Sequence, residues 1–239
     1  MIILIKLILA HLIGDFVLQP LRWVNDKNER KAKSPTLYLH ALIHGLLVYI
    51  FIGEASAWLP AICLMVIHLL IDLTKLYLQT ERSKNAWFVL DQAFHLTSIL
   101  VIWKLAYPAL AGQSYTNTEL KIWLVATAIV LLTNVSALVI QMMMRRWSEI
   151  IEKFTKNSLP NAGKYIGMLE RSFILLFILT NHWEAIGFLL AAKSVFRFGD
   201  LNEAKEIKLT EYVLIGTLIS FGIAILTGVV VQEILVAMS

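Results

Sequence analysis

The sequence predicts an all-α fold, a polytopic transmembrane bundle of about eight membrane segments. Three observations carry this expectation. Of 239 residues, 58% are apolar and only 16% are charged, against about 25% charged in soluble domains. The apolar residues gather in runs close to the roughly 20 residues that a helix needs to cross hydrocarbon. Connections rich in Lys and Arg alternate with basic-poor ones, as cytoplasmic and outer loops do. The net charge of +4, from 21 basic and 17 acidic residues, is therefore a topology signal, and no nucleic-acid partner is expected. Cys63 is the only cysteine, which excludes an intramolecular disulfide and a Cys-based metal site.

The first apolar run covers residues 1–20. It lacks a small-residue cleavage site and carries His11 and Asp15, so a mature transmembrane helix is expected instead of a signal peptide. Arg22, Lys27, Arg30, Lys31 and Lys33 follow in a basic loop. Segments 37–53 and 57–79 are joined without a basic residue, and Arg82 and Lys84 precede segment 86–107. The polar stretch from Pro108 to Glu119 has turn composition. It divides the chain into a four-helix unit, 1–107, an exposed connection, 108–119, and a second unit, 120–239. The second unit offers segments 120–144, 165–181, 185–198 and 210–236. The sixth and seventh are short, and the Asn181-His182-Trp183-Glu184 break between them fits a hairpin or a re-entrant pair. Between segments five and six, Trp147, Ile150, Ile151 and Phe154 share one helical face. Residues 145–160 therefore form an interfacial helix or a plain extension of segment five. With the basic connections inside, both termini lie outside, in a membrane expected to be a bacterial inner membrane.

The first 95 residues repeat one device four times: His11 with Asp15, His40 with His44, His68 with Asp72, and Asp91 with His95. The i,i+4 spacing puts both members of a pair on one helical face. Each pair lies in a different segment. The loop-charge topology, assigned without these residues, brings all four to similar depth in the cytoplasmic half. Ionisable groups are costly in a membrane and face a bundle interior. Eight N and O donors meeting in a four-helix bundle suit a metal site. Imidazole with carboxylate accepts Zn, Mn, Fe, Co or Ni, as one or two ions. Gln19 continues the His11/Asp15 face and Lys75 lies one turn beyond Asp72, so both are placed to meet substrate.

A second polar cluster, Glu170, Arg171, Lys193, Arg197 and Glu211, lies at predicted cytoplasmic helix ends. It reads as an anion or phosphate headgroup pocket, or as a Glu/Arg/Lys network that anchors helix ends.

The string His11-Leu12-Ile13-Gly14-Asp15-Phe16-Val17-Leu18-Gln19, with His40-x3-His44-Gly45, His68-x3-Asp72-x2-Lys75 and Asp91-Gln92-x2-His95, resembles a bacterial membrane family known as a domain of unknown function, DUF3307. The second half looks similar in Gly163-Lys164-x2-Gly167-x2-Glu170-Arg171, Ala192-Lys193-Ser194-x2-Arg197 and Glu211-Tyr212. That resemblance implies no established activity. The first half is more distantly similar to predicted membrane-bound metal-dependent hydrolases, which carry His-x3-Asp pairs on transmembrane helices. This likeness implies hydrolysis by analogy.

The expected function is thus a metal-dependent hydrolase with its site at the cytoplasmic leaflet, acting on a lipid or phosphate-bearing amphiphile. Asp91 is the expected general base, with Asp72 beside it in the catalytic set. A metal-ion or proton-coupled transporter would use the same residues, helped by Thr133, Asn134 and Ser136 in segment five. A non-catalytic assembly protein with a structural metal is the third reading.

Overall fold

The computed structural model describes residues 1–110, 116–151, 161–195 and 204–237, and their regular structure is entirely helical. They form two compact units, Met1–Thr127 and Ala128–Ser239.

In the first unit, α1 (Ile2–Phe16) is followed by α2 (Leu21–Arg30), a 3-10 turn (Lys31–Lys33), α3 (Pro35–Ile52), α4 (Trp58–Leu78) and α5 (Lys84–Leu110). Helix α6 (Asn117–Val130) crosses the boundary. Pro20, extended at ψ 152°, cannot carry the α1 ladder onward, and the chain bends by 79° into α2. The basic stretch after the first segment is therefore a folded element and not a plain loop. It is pinned to the start of α3, because the Ser34 and Thr36 hydroxyls both donate to Asp26 Oδ2. Ser34 also caps α3, accepting from the Leu37 amide, and Pro35 fits the first turn, whose amides need no helical partner. Gly53, left-handed at φ 76°, ends α3.

Helices α1, α3, α4 and α5 pack together around Leu7, Ala10, Val48, Leu64 and Ile99. Lys6 enters this core by donating from Nζ to the Ile52 carbonyl at 3.4 Å and lying 5.1 Å over the Trp123 ring. Thr116 and Glu119 cap each other at the start of α6. Of the expected connection 108–119, residues 108–110 close α5, Asn117 opens α6, and 111–115 lie outside the described residues.

The second unit contains a π-helical turn (Leu131–Val135), α7 (Ser136–Ile151), α8 (Ala162–Leu179), α9 (Trp183–Val195) and α10 (Ala204–Val236). Helix α10 packs along α7 and α8. Residues 145–151 continue α7, while 152–160 lie outside the described residues.

Among the described residues, five spans are long and apolar enough to cross a membrane: Pro35–Ile52, Ala55–Leu78, Lys84–Ala106, Asn117–Ser148 and Ile207–Val236. The bent α1–α2 pair makes six if it counts as one span. This is fewer than the eight segments expected. Helix α1 has 15 residues, about 22 Å against roughly 30 Å of hydrocarbon. Helix α8 carries Lys164, Glu170 and Arg171 among its 18 residues. Helix α9 is described over only 13 residues.

Candidate metal centre

The four His/Asp pairs occupy the facing sides of α1, α3, α4 and α5, and their side chains meet inside the first unit. His11, His40, His44, His68, Asp72, Asp91 and His95 are all buried, and the Asp15 side chain is 10% exposed. Asp15 is the hub. Its Oδ1 lies 3.1 Å from both His40 Nε2 and His44 Nε2, and 3.6 Å from His68 Nε2. Its Oδ2 is 3.7 Å from His11 Nε2. The imidazoles of His44, His68 and His95 stack in a column, with centroids 3.6 Å and 4.1 Å apart. Asp72 faces His68 at 3.9 Å and His95 at 3.6 Å through Oδ1. Asp91 Oδ1 is 3.4 Å from His95 Nε2.

These groups fit a divalent metal by geometry and by chemistry. Ligands about 2.0–2.1 Å from a tetrahedral ion stand about 3.3 Å from one another. The separations of 3.1, 3.6 and 3.7 Å around Asp15 bracket that value. Three overlapping sets have donor atoms mutually within 4.8 Å: His11/Asp15/His44/His68, His40/His68/Asp72 and Asp72/Asp91/His95. His68 joins the first two sets and Asp72 the last two, so the donors form one continuous cluster. His40 Nδ1, Asp91 Oδ1 and His95 Nε2 are buried without a hydrogen-bond partner. A buried polar atom without a partner is costly, and a cation between Asp91 Oδ1 and His95 Nε2 would satisfy both.

Residues 3–125 match the family described as a protein of unknown function (DUF3307). The chain belongs to the DUF3307 family. No curated protein and no solved structure matches it. The DUF3307 match covers the unit that carries the cluster and ends before the second-half motifs.

Several residues that pattern reading did not single out hold the DUF3307 cluster in place. The Gln92 amide nitrogen donates to Asp15 Oδ2 at 3.0 Å and to Asp91 Oδ2 at 3.3 Å, while its oxygen lies 3.2 Å from His11 Nε2. Its i,i+3 spacing to His95 carried the signal, which an i,i+4 search passes over. Lys27 is buried and donates to Asp72 Oδ2 at 2.7 Å. Counted as a loop charge, it had no local signal, because its partner is 45 residues away. Gly14 admits the His44 ring, which a Cβ would strike. Of the expected substrate-facing residues, Lys75 donates to Asp91 Oδ2 at 2.8 Å and the Gln19 amide nitrogen lies 3.1 Å from His40 Nε2.

In the second unit of this DUF3307 chain, the polar cluster is bonded internally. Lys193 donates to Glu170 at 2.7 Å. Arg171 is buried and donates to the Leu132 and Thr133 carbonyls of the π-helical turn and to Ser220 Oγ. Glu211 is exposed, and Arg197 lies outside the described residues. The Thr133 and Ser136 hydroxyls donate to carbonyls of their own helical run. His182 stands in the exposed turn after α8 with Thr180.

Proposed function

We propose that this protein is a membrane-embedded metal-dependent hydrolase that acts on a lipid or phosphate-bearing amphiphile at the cytoplasmic leaflet. The observation that carries the reading is the continuous buried donor cluster, in which Asp91 Oδ1 and His95 Nε2 lack a hydrogen-bond partner. His11, Asp15, His44 and His68 would hold one ion, and Asp72, Asp91 and His95 a second, with His40 between them. The donor set suits Zn, Mn, Fe, Co or Ni. A bound ion would lower the pKa of its water and polarise a phosphoryl or acyl oxygen.

The chain's own residues supply the rest. Asp91 Oδ2 is occupied by Lys75 and Gln92. Its Oδ1, 3.4 Å from His95 Nε2, is therefore the oxygen that would either ligate the second ion or, instead of ligating, take a proton from water as general base. Asp72 belongs to the second position and to the His40/His68 group beside it, and Lys27 donates to its Oδ2. The Lys- and Arg-rich connections favour the cytoplasmic leaflet for this end of the bundle. The outcome expected for purified wild type is one to two metal equivalents by elemental mass spectrometry after chelator washing. His68→Ala and His44→Ala should lose the metal and the hydrolysis of lipid phosphates or esters, while inserting normally. A fully active His68→Ala protein would sink the mechanism, and wild type without metal would leave a His/Asp proton network as the better account.

A further inference from the structure

A cleft of about 240 Å³ lies between α4 and α5, lined by Ile67, Leu70, Ile71 and Phe94 with Lys75 and Asp91 on its polar wall. We infer that this cleft seats a membrane amphiphile with a small anionic phosphate headgroup, held by Lys75 and admitted sideways from the bilayer. The inference rests on the hydrolase reading and names its substrate site.

Five observations support it. Leu70 and Phe94 are 56% and 52% exposed, so the cleft opens on the apolar outer surface of two membrane-crossing helices and not on an aqueous funnel. Lys75 stands three residues before the end of α4, toward one end of its apolar span, and Ile67 lies two turns further into the helix. An ammonium has three N–H donors, and the Asp91 carboxylate accepts from Lys75 at 2.8 Å. The donors beyond that bond serve an anion beside the carboxylate. Pockets that enclose a whole drug-sized ligand measure about 300–1,000 Å³, so this one takes a small headgroup and its first methylenes. The rest of the chain stays in lipid. On the inner side of the same wall, Asp91 Oδ1 faces His95, which places the seated headgroup against the donor cluster.

Trp87 also lines the cleft and reports on it. Protein in phosphatidylcholine nanodiscs would be titrated with brominated phosphatidic acid or brominated phosphatidylcholine, and quenching compared between wild type and Trp87→Phe to isolate this residue. Phosphatidic acid should quench Trp87 at about tenfold lower mole fraction, the scale of one charge-assisted contact. Lys75→Met should abolish the preference and Lys75→Arg should retain it. Equal quenching by both lipids, or an unchanged preference in a folded Lys75→Met protein, would overturn the inference. Competition by inorganic phosphate would also overturn it, since that result assigns the site to a soluble anion. Metal content measured on the same nanodiscs separates the two ideas. Lipid preference without metal keeps the cleft and removes the hydrolase, and metal without lipid preference does the reverse.

Discussion

At the scale of single residues, two positions test how the cluster is held. A Cβ at Gly14 would collide with the His44 imidazole, so Gly14→Ala should weaken metal affinity by about tenfold or more, the range for disturbing groups that orient ligands. The check is competition against a chelator of known affinity, with folding followed by elution profile, and unchanged affinity would mean that His44 moves aside freely. Lys27 and Asp72 form an ion pair with both side chains under 10% exposed. Removing one member of a buried pair costs about 3–5 kcal/mol because the other charge is stranded. Lys27→Met should therefore lower the melting temperature of chelator-stripped protein strongly and that of metal-loaded protein less, because an ion beside Asp72 supplies the missing positive charge. An equal loss in both forms would remove Asp72 from the ligand set.

Among the elements, the π-helical turn at Leu131–Val135 is the one that engages Arg171 through its backbone. Such a turn leaves carbonyls without their usual helical donors, and Arg171 fills that need for Leu132 and Thr133. Arg171→Leu should destabilise the protein by on the order of 3 kcal/mol, since an unsatisfied backbone group in hydrocarbon costs several kcal/mol. Thermal unfolding in detergent measures this, and metal content should be unchanged. A stable Arg171→Leu protein that fails to bind a phosphate lipid would instead give Arg171 the headgroup role. Helix α3 is tied to α2 through Ser34, which caps one and donates to Asp26 of the other. Ser34→Ala should cost about 1–2 kcal/mol, with the loss read in the same melt.

For the whole molecule, every proposed ligand comes from the first unit, between His11 and His95. A chain ending after Val130, which keeps α6 whole, should bind the same metal equivalents as the full protein; failure in a folded fragment would make the second unit part of the site. Loading should also follow pH with a definite sign. Imidazole ligates only when neutral, so protons compete with the ion. Metal retained at about pH 8 should be released toward about pH 5, below the usual histidine range. Loading that rose on acidification would contradict a histidine site.

The sequence by itself determined the all-helical membrane class and the cluster's eight side chains. Both are local properties: apolar runs report what a helix must present to lipid, and i,i+4 spacing reports which side chains share a face. It did not determine the number of spans, because an apolar stretch as short as α1 is a span only if the chain around it allows the crossing. Nor did it reveal Lys27, whose role depends on a carboxylate 45 residues away, or the Arg171 contacts, which exist only because a π turn exposes two carbonyls to a neighbouring helix. Those choices belong to the tertiary structure, since buried charges and freed backbone groups must find partners wherever packing brings them.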